Sequence, residues 1–422
     1  MEENNVTFRD ILKVGNYRKM IISDFINRFG DSIDAIAVTW LVYQVTHEAF
    51  WSALVFFLNT FPNVAVQPFA GAYVERLNKK RVVVVTNFLR ALVIACFILL
   101  YRFNMVNAWV LALTTLIITT IESFNQPASS AFYIEVVKKE DMTASVSLGK
   151  ILSSAATLIG TGVAGVIIAV GGVGLAMSID VLTFVVAALL IVLVKYKAES
   201  DSENAASQDS PQEEGYFALL KDGFKYVLKR EAIRNFCLLA VALNFMLVPI
   251  NALQAPIVSE IFKMGEALLS VAGVCASIGG IVGAALLPFA AKKLSPFAIT
   301  NWGIAILGFG VLEIAMGSFF GGNVIAGFII AGSSFFMMVA AATLMGSVIG
   351  VQFMKSVDKS YMARASAVFG AVATAAMPIG SLLVSALVAK ISTRTILFFS
   401  AAFALVVLLV CIITKPVLSS EE

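Results

Sequence analysis

A chain of 422 residues that is 59% hydrophobic and only 14% charged, with a mean hydropathy of +0.90, is too apolar for a water-soluble globule. It reads as an all-α polytopic membrane protein. The net charge of +3 implies no nucleic-acid partner, and Cys96, Cys237, Cys275 and Cys411 stand singly in apolar segments without metal or redox spacing, as small core residues do.

In chain order, the polar N-terminal stretch holds no short apolar region with a cleavage site, so no removable signal is expected. The first apolar segment, Met20–Val45, is long enough to cross a bilayer, since a helix rising ~1.5 Å per residue needs about 20 residues for a ~30 Å core. It nevertheless carries Asp24, Arg28, Asp31 and Asp34. The spacing i, i+4, i+7 puts Asp24, Arg28 and Asp31 on one face, flanked by Asp34. Asp31 lies roughly 16–20 Å inward of the basic pair Arg18 and Lys19. Ionisable groups at that depth face a partner or a water-filled cavity. Two readings follow: Asp24 and Arg28 neutralise each other and brace helix packing, or the ladder is a polar seam in which Asp31 or Asp34 exchanges a proton.

The next apolar segments run Phe50–Val74, Val82–Tyr101, Ala108–Pro127, Thr143–Val170 and Gly174–Val194. After a polar stretch come Ile233–Phe262, Ala267–Ala291, Phe297–Phe319, Val324–Val348, Ala363–Lys390 and Thr395–Lys415. This predicts twelve transmembrane helices in two pseudo-symmetric six-helix halves, residues 1–195 and 216–422. The Ser-, Glu- and Asp-rich stretch 196–215 cannot bury itself and is expected to be a flexible cytosolic linker. Tyr216–Arg234 and, after the fourth span, Phe132–Met142 read as amphipathic helices on the membrane face. With the N-terminus in the cytosol, Arg76, Lys79, Lys80, Arg81, Lys138, Lys139, Lys292 and Lys293 all fall inside, while the opposite loops are short and nearly free of lysine and arginine. The positive-inside rule then places both termini in the cytosol, and the cysteine and signal pattern fits a bacterial inner membrane.

Motifs narrow the class. Between the second and third spans the chain reads Gly71-Ala72-Tyr73-Val74-Glu75-Arg76-Leu77-Asn78-Lys79-Lys80-Arg81. This resembles the cytosolic loop signature of the major facilitator superfamily, Gly-x-x-x-Asp-Arg-x-x-Arg/Lys-Arg/Lys, with Glu75 standing where that family has Asp. The resemblance implies a conformational latch made of Gly71, Glu75, Arg76, Lys79 and Lys80, an acid beside a basic cluster that engages a neighbouring helix end. In the fifth span Ala156 to Gly165 is similar to the Gly-rich antiporter motif, with Gly160 and Gly165 matching and Thr161 in place of its proline. Small residues at this spacing let helices pack at backbone contact. Arg28-Phe29-Gly30-Asp31-Ser32, Phe124-Asn125-Gln126-Pro127-Ala128, Ser178-Ile179-Asp180-Val181, Val248-Pro249-Ile250-Asn251-Ala252-Leu253 and Ala376-Met377-Pro378-Ile379-Gly380 resemble the macrolide-efflux branch of the drug:proton antiporters. That resemblance implies export, with macrolides, siderophores or lysophospholipids as the cargo of relatives.

The residues themselves supply a candidate site. Pro249 and Pro256 break the seventh span around Asn251 and Gln254. A broken span frees carbonyls and lines a cavity, so the two amides either bind substrate or satisfy the interrupted backbone. Phe29, Phe245 and Met246 are candidate apolar contacts for an amphiphile, and Glu122 is a polar contact or a partner for Arg90. Asp180 and Glu313 read as shallow acids near the outer side, and His47 as a loop residue. Proton coupling is assigned to Asp31, Asp34, Asp24 and Arg28. Absence of a Walker A signature excludes ATP as an energy source of that type, and no zinc-type cluster or serine elbow supports a membrane enzyme. A sodium-coupled or facilitative carrier stays open beside the proton antiporter. No cofactor or metal is expected. The expected partners are protons, membrane lipid and an amphiphilic small molecule, and a monomer suffices because both halves lie in one chain.

Overall fold

The computed structural model describes residues 8–138, 141–195, 224–320, 323–358 and 361–416. Among them every regular element is helical: α1 (Phe8–Lys13), α2 (Gly15–Thr46), α3 (Ala49–Ala65), α4 (Gln67–Glu75), α5 (Lys79–Arg102), α6 (Ala108–Val136) and α7 (Met142–Val192), then α8 (224–229), α9 (Glu231–Ala252), α10 (Gln254–Pro256), α11 (Glu266–Lys293), α12 (Pro296–Met316), α13 (Val324–Ser356), α14 (Met362–Val388) and α15 (Thr393–Thr414). Side-chain caps set several starts. Asn78, Asn107, Ser295, Asn323 and Ser392 each accept from a backbone N–H three residues on, which satisfies one of the orphan donors at a helix N-terminus. The expected linker and the segment 216–223 lie outside the described residues.

Nine helices among the described residues are long and apolar enough to cross a membrane. α2 is not among them, because its charged ladder interrupts the apolar run. The segment expected as one second span is α3 and α4, which meet at Val66 between Pro62 and Pro68. No loop separates the expected fifth and sixth spans. α7 turns at Gly172, whose φ of 70° lies in the left-handed region that glycine enters without a Cβ penalty. The expected amphipathic helix at Phe132–Met142 is not separate, since Phe132–Val136 closes α6 and Val137 is extended. Pro249 and Pro256 do break the seventh span: Leu253 leaves helical geometry, and a π-helical turn follows at Ile257–Ile261. Of the cysteines, Cys237 and Cys411 are buried and Cys96 is exposed.

The chain divides into two compact units, Met1–Trp51 with Leu58–Ser200, and Ser52–Phe57 with Asp201–Glu422. In the first, α2 packs along both arms of α7. Ser23 Oγ donates to Ala187 O at 3.0 Å, and Gly160 faces the carbonyl of Phe29, where a Cβ would stand only 2.7 Å from that oxygen. Gly160 is thus a backbone-contact site, and Gly165 is buried five residues on. Lys80 Nζ donates to Val192 O and Val194 O, Lys19 Nζ to Leu193 O, and Asn16 exchanges two bonds with Lys195. Two ammonium groups therefore cap the carbonyl end of α7, where the helix dipole favours cations.

In the second unit α9 packs on α14, α11 on α13, and α12 on α13 and α15. Gly279 and Gly283, one turn apart, lay α11 against the carbonyls of Phe336 and Ala340 on α13. No larger residue fits at that backbone separation. The two units also share a local device. In the first, Lys138 N donates to the Tyr17 hydroxyl at 2.9 Å. In the second, Asp358 N donates to the Tyr226 hydroxyl at 3.0 Å, and that hydroxyl donates in turn to Asp358 Oδ2 at 3.1 Å. Arg230 completes the second clasp with a 2.6 Å ion pair to Asp358, and Tyr226 stacks on Tyr361.

Candidate functional site: a charged cavity in the first unit

α2, α5, α6 and α7 line an open cavity of about 510 Å³, with Asp24, Arg28, Asp31, Arg90 and Glu122 in its wall. The helical period places the ladder there: Asp24, Arg28 and Asp31 line it from α2, one turn after another. The sequence reading put Arg28 on the same face as Asp31. The structure gives Asp31 a partner from another helix, because Arg90 Nη2 of α5 donates to Asp31 Oδ1 at 2.8 Å, with Asp31 one-fifth exposed. A neighbouring span reaches Asp31 more directly than a side chain three residues back on the same helix. Glu122 Oε2 stands 4.0 Å from the same guanidinium, so the expected Arg90–Glu122 pairing is the looser of the two.

Arg90 is 95% buried and lies flat over Phe184 of α7, 4.1 Å from the ring centroid. Its charge is thereby held by one carboxylate and one aromatic face, while its Nε is buried without a partner. One turn before Phe184 sits Asp180, read from sequence as a shallow outer acid. It is 1% exposed. Eight residues beyond the turn at Gly172, it lies roughly 12 Å into the second arm of α7. Its carboxyl rests against the backbone of α2 at Gly30, where an added Cβ would stand 2.5 Å from Asp180 Oδ1. Thr183 Oγ donates to Asp180 O at 2.7 Å and lies 3.2 Å from Asp180 Oδ1, and Asp180 Oδ2 has no partner. Asp34, the remaining ladder acid, is partly buried and also holds an unpartnered oxygen, Oδ1.

From this layer a polar stripe runs along the α5–α6 contact. Asn125 Nδ2 donates to Thr86 Oγ at 2.6 Å and to Asn87 Oδ1 at 3.3 Å, and Ser129 Oγ donates to Asn125 Oδ1. Tyr133 and Ser145 pair through their hydroxyls beyond it. Glu122, Asn125, Ser129 and Tyr133 recur every three to four residues, the period of one helix face.

The other expected residues are dispersed. Asn251 and Gln254 line a small pocket of about 80 Å³ in the second unit, beside Phe335 and Met338. Phe245 is in edge contact with Phe403, and Met246 is 1% exposed in the core. Phe29 packs beside Gly160. The expected latch residues are partly engaged elsewhere: Lys79 pairs with Glu135 at 3.3 Å and Lys80 caps α7, while Arg76 is exposed at the end of α4. Gly71 has open space where its Cβ would be, so no close helix approach requires it. The Glu75 side chain lies outside the described residues. Glu313, read as shallow, accepts from Ser334 Oγ of α13 at 2.8 Å. His47 caps α2 in the left-handed region.

A family model described as transmembrane secretion effector matches residues 11–422. The chain belongs to that family of the major facilitator superfamily. On the macrolide-efflux-like branch, this transporter is 20% identical over 383 residues to macrolide efflux protein A of Streptococcus pyogenes, covering 89% of this chain and 90% of that protein. It is 24% identical over 295 residues to the staphyloferrin A transporter of Staphylococcus aureus, covering 68% and 71% respectively. Among solved structures, a bacterial homologue of the iron transporter ferroportin in its inward-facing state matches with a TM-score of 0.71 at 13% identity, covering 94% of this chain and 98% of that one. The facilitator protein is a multi-pass membrane transporter of small molecules and not an enzyme.

Proposed function

We propose that this transporter exports amphiphilic small molecules, macrolide-like cations among them, in exchange for protons by alternating access. The observation that carries the reading is the Asp31–Arg90 ion pair in the wall of a roughly 510 Å³ cavity. A carboxylate held there by one movable cation is a site where proton and cationic substrate compete. Asp24 and Glu122 add negative charge to the same wall, and the efflux relatives support the direction. Twelve spans follow if α2 and the broken α3–α4 segment also cross the bilayer and α7, long enough for two passes, turns back at Gly172. Lysine and arginine placement supports cytosolic termini in an inner membrane. Residues 1–195 and 216–422 then form the two halves, joined by 196–215. Asn251 and Gln254 offer hydrogen bonds to substrate within the second half, and the loop from Gly71 to Arg81 acts as the latch.

A second reading, export of an anionic metabolite such as a siderophore, is favoured by Arg28 in the cavity wall and by the staphyloferrin A relative. Drug accumulation in bacteria lacking their own pumps separates the two. Expression of the parent lowers retention of erythromycin or ethidium and Asp31→Asn restores it. Unchanged retention of both probes, with export of a carboxylate-rich siderophore instead, overturns the cationic assignment.

A further inference from the structure

We propose that Asp180 is the sealed half of a two-carboxyl proton switch, in which Asp31 and Asp180 share one proton and Arg90 pairs with whichever of them is ionised. This rests on the proton-coupled reading and names a residue that the coupling requires. Three features place it. Asp180 is 1% exposed, and its carboxyl lies against the α2 backbone at Gly30, the residue before Asp31. The Arg90 guanidinium lies over Phe184, one turn along α7 from Asp180, and its Nε has no partner. Arg90 thus bonds one acid and packs on the residue one turn from the other, with a hydrogen-bond donor to spare.

The surroundings of Asp180 bear on where the proton stands in this conformation. Thr183 has one hydroxyl hydrogen, and its shorter contact, 2.7 Å, gives that hydrogen to Asp180 O. The same hydroxyl lies 3.2 Å from Asp180 Oδ1, so Thr183 offers the carboxyl only one weak, shared hydrogen bond. An ionised Asp180 would also leave Oδ2 charged, buried and unpartnered, which an apolar interior does not tolerate. The charged groups around it are Asp31 and Asp34 from α2, Arg90 from α5 and Glu122 from α6 across the guanidinium. Arg90 is the cation bonded to Asp31 among the described residues, and Arg28 lines the same cavity wall.

The exchange balances. In the conformation seen, Asp31 is ionised and bonded to Arg90, and Asp180 holds the proton. In the other, the O–H bond of Asp180 breaks, an O–H bond forms at Asp31, and Arg90 moves its bonds from Asp31 to Asp180. The Arg90 charge stays paired with the ionised member of the Asp31–Asp180 couple throughout, and the net charge of the layer does not change. Asp31 lines the cavity and is the member of the couple open to proton exchange. The sealed carboxyl holds the proton while Asp31 engages Arg90.

Infrared difference spectroscopy on the purified full chain tests this without a substrate. The parent shows the carbonyl stretch of a protonated carboxyl that is absent from Asp180→Asn and shifted in Thr183→Val, a variant that removes the hydroxyl beside Asp180 Oδ1 together with its bond to Asp180 O. In Asp31→Asn, checked for folding by circular dichroism and elution volume, Arg90 turns to Asp180 and the band is lost. Spectra of Asp180→Asn and Thr183→Val identical to the parent overturn the protonated carboxyl. A band that persists in Asp31→Asn makes Asp180 a fixed structural group and overturns the exchange. Neither result depends on drug transport, so failure here is distinct from failure of the proton-coupled efflux reading, which vesicle transport assays decide.

Discussion

Gly30→Ala tests the contact on which the charged layer is built. The new methyl would overlap Thr183 Oγ and stand 2.9 Å from Thr183 Cβ and 2.5 Å from Asp180 Oδ1. Both partners are on a helix, so relief comes from turning Thr183 about χ1 or from separating α2 and α7. Turning Thr183 gives up its bond to Asp180 O, about 1 kcal/mol. Overpacking of a close helix contact costs about 1–3 kcal/mol. The expected destabilisation is therefore about 2–4 kcal/mol, read as the midpoint shift in a denaturant titration of the micelle-bound protein. Thr183→Ala removes the nearest atom, so the double variant should recover about 1–2 kcal/mol of that loss in a double-mutant cycle. Parent-like stability of Gly30→Ala, or strict additivity in the cycle, would refute the α2–α7 contact as described.

Three further outcomes follow from the same geometry. Arg90→Met leaves Asp31 without its partner, and with Asp31 partly solvated the loss is expected at about 2–3 kcal/mol, below the cost for a sealed pair. Adding Asp31→Asn should recover at least half of it in the same titration. Gly283→Val pushes a branched side chain into the carbonyl of Ala340, and the yield of monodisperse protein in fluorescence-detected size exclusion should fall steeply while Gly71→Ala leaves it unchanged. Tyr226→Phe removes a hydroxyl that accepts from Asp358 N and donates to Asp358 Oδ2, at a cost of about 1 kcal/mol. Limited proteolysis of the 224–230 segment should accelerate in that variant and not in Tyr43→Phe.

The helices were legible because apolar runs of bilayer length and side-chain caps such as Asn78 and Ser392 are local signals. The break in the seventh span was legible for the same reason, since proline acts on its own backbone. What lay beyond reach was pairing between helices. Nothing within the run around Arg28 and Asp31 says that a guanidinium 59 residues later takes the acid. Asp180 was misjudged because depth was counted from a loop expected at Gly171–Gly174, whereas a single glycine makes the turn. Gly30 carried the missing clue: a glycine beside an intramembrane acid marks where another helix comes close. Phe245 and Met246 illustrate the converse, as apolar residues in an apolar chain carry no sign of which face is lipid, core or cavity.

Proton movement in inside-out vesicles, followed with a pH-sensitive dye as erythromycin is added, is the most direct test of proton-coupled efflux. The account predicts that substrate dissipates the imposed gradient with the parent and does so far less with Asp31→Asn or Arg90→Met. A gradient that responds alike in all three would contradict it.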